Sequence, residues 1–359
     1  MQFFHIFATI ESTHLLTATI NPLLLHLNSL FTSFMQNFTF RLRFLLLFSV
    51  LLFISACTSV NKTNSFAYIT NQGDNTVSVV DIAAAKVIKT ISVDKAPVGV
   101  AVSAALHRVF ITNVEGQSIS VIDTDSNAVV ETIAIKGSPV GITIAPDSKT
   151  LYVADWYSDR ILAIDTGNYD TRRELIVAKA PAGLIVSPDS KTLYVAARDT
   201  NDIAIIDTKT FSIVKKISVG KHPFGLTLSN DGKHLYSVNV YDNTVSMIDT
   251  TMFSQTAVKV GQHPYCVAIN PDNKTLYVTN TQGDSVTVID LTTQKNIATI
   301  DVGMTPEGIS FDELSNQVLV ASWGENQLSV IDAATNKLKT NIKTGASSRA
   351  FGQFILHKQ

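Results

Sequence analysis

Gly137-Ser138-Pro139-Val140-Gly141, Ile142-Thr143-Ile144, Pro146-Asp147-Ser148-Lys149, Leu151-Tyr152-Val153-Ala154, Asp155-Trp156-Tyr157-Ser158-Asp159 and Arg160-Ile161-Leu162-Ala163-Ile164-Asp165 occur in this order mid-chain. They read as turn, strand, turn, strand, loop and strand. A further turn at Thr166-Gly167-Asn168-Tyr169-Asp170 leads to a fourth strand at Arg173-Glu174-Leu175-Ile176-Val177. Short runs rich in Val, Ile and Tyr, cut by Gly, Pro, Asn and Asp, are half-buried sheet. After residue 60 nothing carries a long helical period, which argues against an α/β protein.

The third strand of this unit ends on Asp165, and the chain repeats that ending seven times. The aspartates are Asp81, Asp123, Asp165, Asp207, Asp249, Asp290 and Asp332, separated by 42, 42, 42, 42, 41 and 42 residues. A period of about 40–45 residues with four short strands each is the signature of a β-propeller. Residues 66–359 number 294, or seven periods of 42. The expected fold is all-β: a seven-bladed propeller with four antiparallel strands per blade. A core of that size needs no disulfide support.

Phe66-Ala67-Tyr68-Ile69-Thr70-Asn71 matches the second strand of later periods, so the first blade lacks its own first strand. Phe351-Gly352-Gln353-Phe354-Ile355-Leu356 is an unpaired segment of first-strand type at the other end. The expectation is that it completes the first blade. Pairing the N- and C-terminal strands would close the ring and remove two sheet edges.

Tyr277-Val278-Thr279-Asn280 precedes Val286-Thr287-Val288-Ile289-Asp290-Leu291-Thr292-Thr293, and variants recur at Tyr68–Asn71, Phe110–Asn113 and Tyr236–Asn239. A Pro-x-Gly turn recurs at Pro97/Gly99, Pro139/Gly141, Pro181/Gly183, Pro223/Gly225 and Pro306/Gly308. In these motifs residues 66–359 resemble the YVTN-repeat β-propeller family. The sixth period departs, with Cys266 where the others have Gly, which implies that the position does not demand positive φ. The seventh departs as well, with Ser348-Arg349-Ala350.

Upstream, Arg41 and Arg43 precede an apolar run from Phe44 and then Ile54-Ser55-Ala56-Cys57. That order describes a secretory signal, and Cys57 after small residues resembles a bacterial lipoprotein signal. It implies lipidation at Cys57 and, with Thr58 next, outer-membrane sorting toward the periplasm. Residues 1–34 contain no Lys or Arg and read as an over-extended start. The expected organisation is 1–34 outside the fold, 35–56 signal peptide, 57–65 polar tether and 66–359 propeller. With Cys57 modified, Cys266 has no intrachain partner and reads as a small buried hydrophobe. The formal net charge is −2, and about −3 without Arg41, Arg43 and Glu11. That gives no basic footprint for nucleic acid.

Loops that repeat faithfully read as scaffold, and loops that differ read as candidates for function. Pro146–Lys149, Pro188–Lys191, Asn230–Lys233 and Pro271–Lys274 are one turn written four times. The recurrent aspartates on that face are read as bonding nearby backbone amides. The opposite face carries Trp156, Tyr157, Arg198, Tyr241 and Trp323 in loops between second and third strands. Its blade connections carry His222, Phe224, His263, Tyr265, Glu307 and Arg349. Large aromatics and arginine are typical of binding surfaces. His222 and His263 are equivalent, but the same position elsewhere holds Ala96, Ser138, Ala180 and Thr305. No ring of metal ligands results, and the two read as turn residues first.

No Cys-x-x-Cys-His, Gly-x-Ser-x-Gly, His-Glu-x-x-His or phosphate-cradling glycine loop is present. No catalytic residue, cofactor or metal is therefore assigned. The expected protein is a monomeric, lipid-anchored binding or scaffold module of the bacterial cell envelope. It would take a protein or small-molecule partner on the diverse face and touch the membrane through its anchor alone. The alternative is a propeller hydrolase of the sugar-lactonase type at the channel mouth. A metal-dependent version would need inward groups there, for which Glu307, Asn113 and Asn280 are the candidates.

Overall fold

The computed structural model describes residues 63–169, 172–177 and 179–358. The leader, with Cys57, lies outside the described residues. Each blade is built on four antiparallel strands, seven blades make the seven-bladed propeller, and blade 2 carries a fifth strand at its inner edge. The third blade comprises Pro139–Ile144, Thr150–Asp155, Arg160–Asp165 and Arg172–Ile176. In every blade the third strand ends on the repeated aspartate.

Burial explains why the blades stack. Leu151, Val153, Ile161 and Ile164 in the middle strands are fully buried, because neighbouring blades cover both faces of the sheet. Fourth strands such as Lys86–Ser92 are mostly exposed, as the outer rim should be.

The Pro-x-Gly turn sets the approach to the axis. In blades 2 to 7 the pairing of first and second strands slips just after the proline. This irregularity moves each first strand against the next blade. The glycines there have negative φ, since the positive-φ glycines are Gly137, Gly232 and Gly352. Space is what they provide. A Cβ on Gly99 would lie 2.3 Å from the Val140 carbonyl oxygen, and one on Gly141 2.0 Å from that of Ala182.

The tetrapeptide residues have structural tasks. The Thr279 hydroxyl accepts from the Cys266 N–H at 2.9 Å and donates to the Glu307 carbonyl of the next blade at 3.1 Å. Thr112 does the same between Gly99 and Val140. Asn280 donates to Ser285 and Thr287 inside its own blade, and Asn113 to Ser118 and Ser120.

The C-terminal segment divides. Ile355–Lys358 pairs antiparallel with Asn64–Asn71 and completes blade 1, closing the ring as expected. Phe351–Gln353 does not join that blade; it pairs in parallel with Pro97–Ser103 of blade 2. Gly352, at φ +120°, permits the detour, and a Cβ there would lie 2.4 Å from the Val100 carbonyl oxygen. The detour carries Phe351 toward the axis, where its ring lies 5.0 Å from that of Phe224.

Candidate functional site

The residue after each blade-opening proline, and Arg349 at the equivalent place after Ser348, stand at one end of the axial channel. In chain order these are Val98, Val140, Ala182, Phe224, Tyr265, Glu307 and Arg349. The first three are small, whereas the last four fill the mouth. Arg349 Nε donates to Glu307 Oε2 at 2.5 Å, its Nη2 to Tyr265 Oη at 3.1 Å and its Nη1 to Gln72 at 3.2 Å. Phe224 packs in a tilted arrangement against Tyr265 at 4.1 Å and against Phe351 at 5.0 Å. Burial pushes the Glu307 carboxyl upward against the opposing pull of Arg349. The same burial raises the Tyr265 phenol and the Cys266 thiol. This end of the channel is a sealed, hydrogen-bonded plug. Beneath it a cavity of about 50 Å³ lies among Gly183, Gly225, Cys266 and Phe351, with room for a few waters.

A second group lies around the plug. Trp156 packs on Phe224 with ring centres 5.7 Å apart. The Arg198 guanidinium lies over the Trp156 ring at 5.0 Å, a cation–π arrangement. The Tyr241 ring is flanked by the imidazoles of His222 at 4.0 Å and His263 at 5.5 Å. Tyr241 remains 53% exposed. Partial burial, then the Arg198 charge, lowers the pKa of both histidines. Each is therefore neutral near pH 7. His222 Nδ1 is buried with no hydrogen-bond partner, since Asp199 is 3.8 Å away.

The histidines hold their places through the backbone. His222 and His263 are left-handed, at φ 54° and 57°. Their N–H groups donate to the side-chain oxygens of Asn201 and Asn243 in the preceding blade. The same clamp joins Asn75 to Ala96 and Asp284 to Thr305. The position is a turn first, and the imidazoles are additions to it.

The structure thus joins most of these face residues into two groups. Trp156, Arg198, Tyr241, His222 and His263 form an accessible band, while Phe224, Tyr265, Glu307 and Arg349 form the plug. Tyr157, 80% exposed, and Trp323, 42% exposed, make no ring contact among the described residues. Asn113 and Asn280, candidates for an inward metal set, are fully buried within their blades and do not meet Glu307. Among the described residues no three His, Cys, Asp or Glu groups are placed to hold a metal ion. Phe351 was missing from the candidate face residues. Phe224 had a legible signal in its blade-connection position, but Phe351 depends on a strand detour without a local marker.

With the geometry in hand, comparison with known proteins is informative about fold. A family model described as lactonase, 7-bladed beta-propeller, matches residues 163–252, less than half of the chain. No curated protein matches. Among solved structures, hydrazine synthase from Kuenenia stuttgartiensis is similar at 22% identity and a TM-score of 0.68, covering 74% of this chain and 92% of that one. A functionally unknown protein from Desulfotomaculum acetoxidans DSM 771 is similar at 14% identity and a TM-score of 0.69, covering 80% and 99%. At these identities the likeness is one of fold, that of the seven-bladed β-propeller.

Proposed function

We propose that this chain is a binding module of the bacterial cell envelope. In this reading lipid-modified Cys57 tethers it to the outer membrane, and the variable-loop face takes a protein or small-molecule partner. The observation that supports the reading is the accessible band of Trp156, Arg198, His222, Tyr241 and His263. Flat aromatic faces beside a guanidinium suit a ligand with a planar surface and an acidic group. The test is retention of envelope components on the immobilised full-length chain and on a Trp156→Ala/Tyr241→Ala variant. Components held by the parent should be lost by the variant while its melting transition is kept. Equal retention by both sinks the assignment to this face.

A second reading, lactone hydrolysis, draws on the family match over 163–252. That span contains Arg198, His222 and Tyr241. His222 is a neutral imidazole, a group of the kind that serves as a general base, and Arg198 can steady a developing negative charge. Turnover of a sugar-lactone panel that His222→Ala abolishes would favour this reading. Absence of turnover by the parent chain counts against it.

A further inference from the structure

The channel sealed by Arg349, Glu307 and Phe224 opens at its other end. There, on the face of the repeated Pro-Asp-Ser-Lys turns, the first strands of blades 3 to 7 surround a cavity of about 470 Å³. A second space of about 330 Å³ adjoins it and shares Thr143, Ile144, Pro146 and Gln353 with it. Ile144, Ile185, Leu228, Ile269 and Phe311 make up the apolar part of a wall that is nearly half polar. A volume of several hundred Å³ that sets apolar side chains beside a limited set of polar groups suits a small-molecule site.

The polar groups are specific. Gln353 lines both of these spaces and the small inner cavity as well. It is exposed, and its side-chain amide makes no hydrogen bond among the described residues. At the rim, His357 Nε2 lies 2.8 Å from Asp312 Oδ1, and its Nδ1 lies 3.5 Å from Glu313 Oε1. Asp312 is fully buried and also accepts from Ser65 at 2.7 Å and from Ser315. Glu313 is 58% exposed. No lysine or arginine lines either space, and the ionisable groups of the wall are the Glu313 carboxylate and the His357 imidazole beside it.

We infer that this funnel binds a small amphiphilic amine. Its apolar body would lie against Ile185, Leu228 and Phe311, its ammonium against Glu313 and a polar group at its inner end against the Gln353 amide. The inference is independent of the variable-loop face, because the sealed plug separates the two ends of the channel.

Three probes with one body and different charge test it by calorimetry on the full-length chain: tyramine, 4-ethylphenol and 3-(4-hydroxyphenyl)propionate. Tyramine should bind saturably with one site, about tenfold more tightly than 4-ethylphenol, the scale of one charge-assisted contact. The propionate should not bind. Glu313→Gln, at an exposed position, should bring tyramine to the level of 4-ethylphenol. Ile185→Trp should block both, with its melting transition recorded as a check on folding, and Trp156→Ala/Tyr241→Ala should leave both unchanged. Absence of saturable tyramine binding overturns the inference. So does equal binding of the propionate, indifference to Glu313→Gln, or loss of binding in the variable-face variant.

Discussion

At the scale of single residues, one position does different work in different blades. The glycine of Pro-x-Gly serves close approach, and the sixth blade relaxes it to Cys266. The two substitutions Gly141→Ala and Cys266→Gly are therefore unequal. The first forces a methyl to within 2.0 Å of the Ala182 carbonyl oxygen. Overpacking of this kind costs about 1–3 kcal/mol, and denaturant unfolding should show a lower midpoint. Cys266→Gly brings no clash and should shift the midpoint less. The repeated aspartates bond backbone amides, as their sequence position implied. Asp123 accepts from the N–H groups of Asp125 and Ser126, and Asp290 from that of Thr293. These hydrogen bonds lower the Asp123 carboxyl to about 2 and lower Asp207, Asp249, Asp290 and Asp332 as well.

The element that matters most is the C-terminal segment, because two blades depend on it. Ile355–Lys358 gives blade 1 its first strand, and Phe351–Gln353 lies along blade 2. Phe354 and Leu356 are buried, and Phe351 underlies the plug. Deleting residues 351–359 removes these three apolar side chains and exposes the edge at Asn64–Asn71. Loss of a buried Phe or Leu costs about 2–5 kcal/mol each, and whole domains hold only about 5–15 kcal/mol. The truncated chain should lose cooperative thermal unfolding, read by calorimetry; an unchanged transition would contradict this account of closure. Only part of this segment was legible in the sequence. Its first-strand character showed in the apolar pattern, whereas the parallel detour rests on Gly352 and on contacts with residues far away in the chain.

Across the whole molecule, the lowered aspartates predict acid sensitivity. A carboxyl with a folded pKa below its unfolded value of about 4 contributes stability above that value. The contribution is lost as pH falls through the folded pKa, near 2 for Asp123. The melting temperature should therefore fall between about pH 4 and pH 2, and Asp123→Asn should flatten that fall. Glu307, whose pKa is raised, acts with the opposite sign, so the variant's slope is the better report on the turns. The sequence by itself determined the number of blades, the strand order, the place of each aspartate turn and which loops share a face. These follow from a 42-residue period and local turn chemistry, and both are written along the chain. Tertiary structure alone decided that the face expected to hold an open mouth is plugged, and that the wider cavity opens among the monotonous turns. The difference lies in where the information resides. A repeat fixes what each blade does for itself, but the axis is built from seven non-repeating side chains and one returning strand, brought together only when the ring closes.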